Sequence, residues 1–158
     1  MIIERIKESD IPELRKMIQF TCEECFKLYY PQTIIQKTIK ALDEDAIRDR
    51  ASWTHFYVAK EEGRIVGCGA IGPYWGSETE SSLFTIFVDP AMQGKGIGKK
   101  IIQTLEQDEY FIRAKRIEIP ASLFALPFYI KMGYKHKNGE LIFEDDHIKL
   151  EKFNDLQK

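Results

Sequence analysis

Leu83-Phe84-Thr85-Ile86-Phe87-Val88-Asp89-Pro90-Ala91-Met92-Gln93-Gly94-Lys95-Gly96-Ile97-Gly98-Lys99 is the stretch on which the fold turns. Its first part, from Ser82 to Val88, is rich in β-branched and aromatic residues and reads as a strand, which Asp89-Pro90 stops. From about Gly96 to Phe111 the spacing changes to that of a helix, with Ile97, Ile101, Ile102, Leu105 and Phe111 on the buried side. A strand that passes into a helix through glycines leaves unpaired N–H groups at the helix start, where an anion is favoured by those donors and by the helix dipole. Lys95 and Lys99 add positive charge there.

Working backwards, His55–Ala59 and Arg64–Ile71 flank Glu61-Glu62-Gly63, a hairpin with glycine in its turn. Residues 33–51 carry a helical pattern broken near Leu42-Asp43, with Asp43 as cap of the second piece, and form a helical flap. Before them, Ser9-Asp10 and Pro12 open a helix whose apolar face runs from Leu14 through Met17, Ile18, Cys22 and Cys25 to Leu28, and Pro31 ends it near Tyr29-Tyr30. Residues 2–6 read as a first strand. Working forwards, the pattern predicts a strand at Arg116–Ile119, a helix from about Ser122 to Met132 stopped by Gly133, and a closing hairpin of Leu141–Phe143 and His147–Phe153.

Three phosphate-binding patterns compete for the glycine loop. A Walker loop needs glycine where Asp89 stands and a hydroxyl residue where Gly96 follows Lys95, so it fails. A dinucleotide fingerprint needs a different glycine spacing inside a parallel βαβ unit, whereas Gly94, Gly96 and Gly98 are two apart and follow antiparallel hairpin patterns. What remains is Gln-x-x-Gly-x-Gly, Gln93 through Gly98, joined on the next helix by Phe128-Tyr129-Ile130-Lys131-Met132-Gly133-Tyr134. In order and spacing these two segments resemble the GNAT superfamily of acyl-CoA N-acyltransferases, over residues 55–134 and more weakly beyond.

The resemblance implies an α/β (α+β) fold, a mixed central sheet of about six to seven strands flanked by helices, with the central strands splayed. It implies one GNAT acetyltransferase domain over residues 1–158, with acetyl-CoA as co-substrate and no metal. The cofactor arm would lie along the backbone of Ile86, Phe87 and Val88, and its pyrophosphate on the amides of Gly94, Lys95, Gly96, Ile97, Gly98 and Lys99, with Gln93 fixing the loop. The implied reaction is direct attack of a primary amine of a small molecule, peptide or protein on the thioester, in a ternary complex. Tyr129 would be the general acid, and a carboxylate near the central strand the base: Glu80 first, with Glu78 and His147 as further candidates. The rival from another class is a non-catalytic CoA-binding sensor or protein-interaction module on the same fold. Where the family often supplies an asparagine before the Tyr-bearing helix, this chain has Pro120-Ala121-Ser122-Leu123, and Ser122 is expected to cap the helix.

Composition narrows the field. A chain of 158 residues, 44% hydrophobic and 12% aromatic, builds a substantial core. A net charge of −2 supplies no broad basic surface for nucleic acid. Met1-Ile2-Ile3-Glu4-Arg5 is not a signal peptide, no apolar run is long enough for a membrane span, and three cysteines fit a reducing compartment, so a cytoplasmic protein is expected. Family analogy also allows a homodimer. Cys22-x-x-Cys25 lies within a helical pattern without a partner pair at metal spacing and reads as packing. His55 and His136 read as surface polarity, and Tyr29, Tyr30 and Trp75 as pocket, core or dimer aromatics.

Overall fold

A computed structural model describes residues 1–154. Strand β1 (Ile2–Arg5) is followed by three helices, α1 (Ile11–Cys25), α2 (Gln32–Ala41) and α3 (Glu44–Trp53), and then by the meander β2 (His55–Glu61), β3 (Arg64–Pro73) and β4 (Glu80–Val88). Helices α4 (Ile97–Glu106) and α5 (Glu109–Ile112) lead to β5 (Arg116–Ala121), and α6 (Leu126–Lys131) leads to β6 (Lys135–His136), β7 (Phe143–Glu144) and β8 (His147–Phe153). The strands form one eight-stranded sheet in the order β1-β2-β3-β4-β5-β8-β6, with β7 also on β8. The strand that sequence reading lacks is β6, two residues long and too short to leave an alternation, whereas β7 falls at the end of the first arm expected for the closing hairpin and pairs with β8.

All pairings are antiparallel except β4 with β5. That parallel ladder runs only from Glu80↔Arg116 to Ser82↔Glu118, and beyond Ser82 the two strands part. The start of the ladder is strongly tied. Arg113 donates to the carbonyls of Ser77, Glu78 and Glu80, Lys115 N–H donates to Thr79, and the Arg116 guanidinium reaches Glu80, Glu118 and Glu151 at 2.9 to 3.2 Å.

Alternation in the strands fills two cores. Phe56, Val58, Ile65, Cys68 and Ala70 face α1, α2 and α3, where Leu14, Ile18, Cys22, Ile35 and Ile47 are buried against them. Ala59, Val66, Ile71 and Leu83 face α4, against Ile97, Ile101, Ile102 and Leu105. The α4 face of β3 also carries Gly67 and Gly69. A Cβ on either would stand 2.8 Å from a carbon of Ile101, so only glycine lets the helix lie this close to the sheet.

Several boundaries differ from expectation for local reasons. Helix α1 stops at Cys25, and a turn in which the N–H groups of Tyr29 and Tyr30 both donate to Phe26 fills the space to Pro31. The helix after the glycine loop breaks at Gln107, because Asp108 caps α5 through Tyr110 N–H at 2.8 Å. Asp108 also takes the Tyr57 hydroxyl at 2.6 Å and His55 Nδ1 at 2.8 Å, so His55 is part of a half-buried cluster rather than surface polarity. Asp43 caps α3 as its position predicts, accepting from Ala46 N–H at 2.8 Å. The α6 region begins with a turn, in which Ser122 accepts from Ala125 and Leu126, before the helix itself starts at Leu126. Among the described residues no helix is long and apolar enough to cross a membrane.

Candidate active site

Where β4 leaves β5, two cavities open on either side of the gap. One, of about 550 Å³, is lined by Ile86 to Val88, the glycine loop and α6. The other, of about 440 Å³, is lined by α2, α3, the middle of β4 and the β7–β8 turn. Phe26, Ile86, Phe87, Ser122 and Tyr129 line both. They form the shared wall at which a molecule in one cavity can meet a molecule in the other.

The glycine loop presents its backbone to the first cavity. Gly94 and Gly96 have φ of 79° and 81°, the left-handed region open to glycine, and a Cβ on either would meet nothing within 4 Å. Among the described residues no protein acceptor takes the N–H groups of Gly94 through Lys99; the first bond into α4 is Lys100 N–H to Gly96 carbonyl. Gln93 ties the loop to the end of β4, donating from Nε2 to the Val88 carbonyl at 3.0 Å and to Cys25 Sγ at 3.2 Å. Gly98 lies against the Phe128 ring, where a Cβ would be 3.2 Å from Cζ, and so brings α4 and α6 together. Lys99 lines the cavity, whereas Lys95 is exposed beside it. Free donors, a cradle that side chains would fill and a lysine at its rim suit a pyrophosphate.

Tyr129 is held by the way its helix ends. Gly133, at φ 98°, donates to the Ile130 carbonyl, and Tyr134 N–H donates to the Tyr129 carbonyl at 3.0 Å, which is a Schellman stop. The rings of Tyr129 and Tyr134 meet edge to face at 6.4 Å, the apolar contact that goes with such a stop. The motif spacing therefore has a mechanical reason. Tyr129 is 4% exposed, and no described side chain hydrogen-bonds its hydroxyl. Burial, with Cys68 nearby adding to it, pushes its pKa well above that of an ordinary phenol, so the hydroxyl keeps its proton.

The expected bases separate. Glu80 starts β4, about 20 Å along the strand from Ile86 at 3.3 Å per residue, and lines neither cavity. Its carboxylate pairs with Arg116 at 3.2 Å and clasps the parallel ladder, a placement that does not bring it to Tyr129. Glu78 is exposed, and its carbonyl accepts from Arg113. His147 does line the second cavity. Its Nδ1 lies 2.7 Å from the Asp145 carbonyl, which only accepts, so Nδ1 donates and the neutral ring keeps its lone pair on Nε2.

Other candidates resolve as structure. Cys22 and Cys25 are buried on α1, and desolvation raises the Cys22 thiol to about 12. Tyr30 is a strut, its hydroxyl donating to the Asp146 carbonyl at 2.6 Å and accepting from Leu123 N–H at 2.9 Å. Tyr29 is half-exposed against Phe124, and Trp75 is 90% exposed. Sequence reading missed Arg50, Thr85 and the paired glycines of β3. Gly-Cys-Gly in a strand was the available signal for the last of these.

Comparison with known proteins places this geometry in a class. Residues 52–136 match the acetyltransferase (GNAT) domain, and the chain belongs to that family. An amino-acid acetyltransferase of Mycobacterium tuberculosis is 27% identical over 141 residues, 87% of this chain and 70% of the relative. An uncharacterized N-acetyltransferase of Escherichia coli, YjgM, is 31% identical over 85 residues, 51% of each chain. Among solved structures, the PaiA N-acetyltransferase of Thermoplasma acidophilum in complex with coenzyme A superposes with a TM-score of 0.81 at 14% identity, over 97% of this chain and 98% of that one. A GNAT family acetyltransferase of Brucella melitensis in complex with acetyl-CoA gives 0.63 at 24% identity, over 85% and 82%. The open mixed sheet flanked by helices is the GNAT fold, and the family supports an acyltransferase with a CoA-based co-substrate.

Proposed function

We propose that this protein is a cytoplasmic N-acetyltransferase that moves the acetyl group of acetyl-CoA to a primary amine by direct attack within a ternary complex. The observation that carries the reading is the meeting of two cavities at Ile86, Phe87, Ser122 and Tyr129, with unpaired loop amides in one cavity only. Bound acetyl-CoA supplies the activated thioester. The amides of Gly94 to Lys99 hold its pyrophosphate, with Lys99 at the rim, and the edge of Ile86 to Val88 that β5 leaves unpaired offers backbone groups to its arm, apart from the Val88 carbonyl that Gln93 already holds.

The transfer forms a carbon–nitrogen bond and breaks the carbon–sulfur bond, so one proton must leave the amine and one must reach the thiolate. Tyr129 holds the second proton, in the hydroxyl of a buried residue that has no competing partner among the described residues. Nε2 of His147 is the acceptor we assign for the first, in place of Glu80. A phenol and an imidazole opening on the same cavity can complete both transfers, and each returns to its starting state by exchange with water.

Isothermal titration with acetyl-CoA and with CoA, followed by thiol release across a panel of primary amines, tests the reading. Micromolar binding with amine-dependent release of CoA supports it. Folded protein that binds neither ligand would sink the cofactor assignment, and binding without turnover of any amine would leave a CoA-binding module in place of an enzyme.

A further inference from the structure

Among the described residues, one cation of the second cavity, Arg50, has no counter-ion. Arg50 projects from α3 into the wall of the second cavity, where its guanidinium lies 4.3 Å over the Phe84 ring and 5.5 Å over that of Trp53. It makes one hydrogen bond, from Nη1 to Thr85 Oγ1 at 3.1 Å. Lys37, the other cation of that cavity, pairs with Asp146 at 3.0 Å, whereas no carboxylate among the described residues lies within ion-pair distance of Arg50. Burial pushes the Arg50 pKa down, with Asp49 opposing, which marks a charge incompletely compensated by the protein. Most of a guanidinium's five donors are left for something else.

A second observation points to the same place. Thr85, the partner of Arg50, has φ of 53°, a left-handed conformation that is a genuine outlier for a β-branched residue. It sits at the bulge where the β3–β4 register shifts between Cys68 and Ala70, and the Cys68 thiol donates to its carbonyl at 3.1 Å. Strain of this kind is kept where the surrounding structure over-determines it, and bulges re-aim side chains beside sites. Here it places the hydroxyl that orients Arg50 one residue before Ile86 in the shared wall.

We propose that Arg50 anchors a carboxylate of the acceptor, so that the acetylated amine belongs to a small molecule carrying an amine and a carboxylate only a few bonds apart. The inference rests on the transferase reading above. A guanidinium stacked on aromatic rings keeps its fork of N–H groups in one plane, which matches a carboxylate bidentately. The short step from Thr85 to Ile86 sets the carboxylate near the point where the amine meets the thioester. A cavity of about 440 Å³ is of a size for such a ligand.

The test measures CoA release with the free amino acids, each beside its carboxamide and its decarboxylated amine. We expect the best acid to exceed its carboxamide by about a hundredfold in kcat/KM, mostly through KM, because a site built for a charged partner rejects the analogue lacking it. Arg50→Gln should bring the acid-to-amide ratio close to one, and Arg50→Lys should restore part of it, while titration with CoA shows that each variant is folded. Carboxamides or plain amines acetylated as well as the acids by the wild-type protein would overturn the inference and leave the transferase reading standing, as would an Arg50→Gln variant that keeps the full ratio. A protein that acetylates no amine would take both readings down.

Discussion

Tyr134 N–H donates to the carbonyl of Tyr129 at 3.0 Å, so the residue assigned as proton donor is itself part of the stop of its own helix. The position of the phenol is thus set by backbone geometry that depends on Gly133.

Tyr129→Phe should lower kcat by about a hundredfold while leaving the affinity for acetyl-CoA within about twofold, as expected for the loss of one positioned acid. Gly133→Ala should also lower kcat, and should cost about 1 kcal/mol of stability because alanine is strained at φ 98°. Single-turnover kinetics and thermal melts separate the two effects. A Tyr129→Phe enzyme with full kcat would remove the phenol from the chemistry.

His147→Gln keeps a donor for the Asp145 carbonyl but offers no basic nitrogen to the cavity. It should reduce kcat/KM for the amine by ten- to a hundredfold, with CoA binding retained. Unchanged turnover would hand the amine proton to water.

In the cofactor cradle, Gly96→Glu brings a side chain, a negative charge and left-handed strain to φ 81°, and titration should find no CoA binding. Gly69→Ala acts at a distance, since its Cβ would stand 2.8 Å from Ile101 Cγ2 and 3.1 Å from Leu105 Cδ1, pressing α4 away from the sheet. A loss of about 1–3 kcal/mol in denaturant unfolding is expected from such overpacking, together with weaker CoA binding. Wild-type affinity in Gly69→Ala would show that the loop is indifferent to how α4 docks.

Glu80→Gln should lower stability by less than about 1 kcal/mol, since the carboxylate is a third exposed, and should leave kcat within about twofold. Arg116→Met should cost about 3 kcal/mol, because it strips a cation from Glu118 and Glu151, whose side chains are 3% and 10% exposed. Thermal unfolding of both, with a rate measurement on Glu80→Gln, checks the assignment. A collapse of kcat in Glu80→Gln would return Glu80 to the reaction.

Burial raises the hydroxyls of Tyr30, Tyr57, Tyr129 and Tyr134 above the ordinary phenol value of about 10. For Tyr57 desolvation comes first and the bond to Asp108 second, and together they bring it to about 12. In that interval the folded chain holds more protons than the unfolded one. The stability these groups contribute is therefore complete below pH 10 and is lost as pH rises above it, for Tyr57 through about 12. Absorbance at 295 nm should show these four tyrosines ionising above pH 10 in the folded protein and dropping to the ordinary phenol value on unfolding. Their ionising at the ordinary value with the fold intact would contradict it.

What the sequence made legible was local. The strand end, the glycine loop and the helix stop each occupy a few consecutive residues, and their backbone demands show as glycine, proline and capping positions. Glu80 illustrates the limit: it lies in the right strand, but which end of β4 faces the cavities depends on where the parallel ladder with β5 begins and ends. Arg50 was invisible for a related reason, since lacking a counter-ion is a property of everything that surrounds a side chain. His147 emerged from its neighbours only once the turn at Asp145-Asp146 had fixed which ring nitrogen donates. Strand β6 exists because β8 is there to pair with it.

The parallel ladder of three residue pairs acts as a fulcrum. The second cavity is lined by α2, α3 and the β7–β8 turn, which contribute no rung to that ladder, and by β4 beyond its last rung, while the first depends on α4 lying hard against β3. Under the proposed transferase reading, mutational drift in those helices and that turn reshapes what is accepted without loosening the hold on the donor. In that sense the split in the sheet is the boundary between the part of the molecule free to change its clientele and the part that is not.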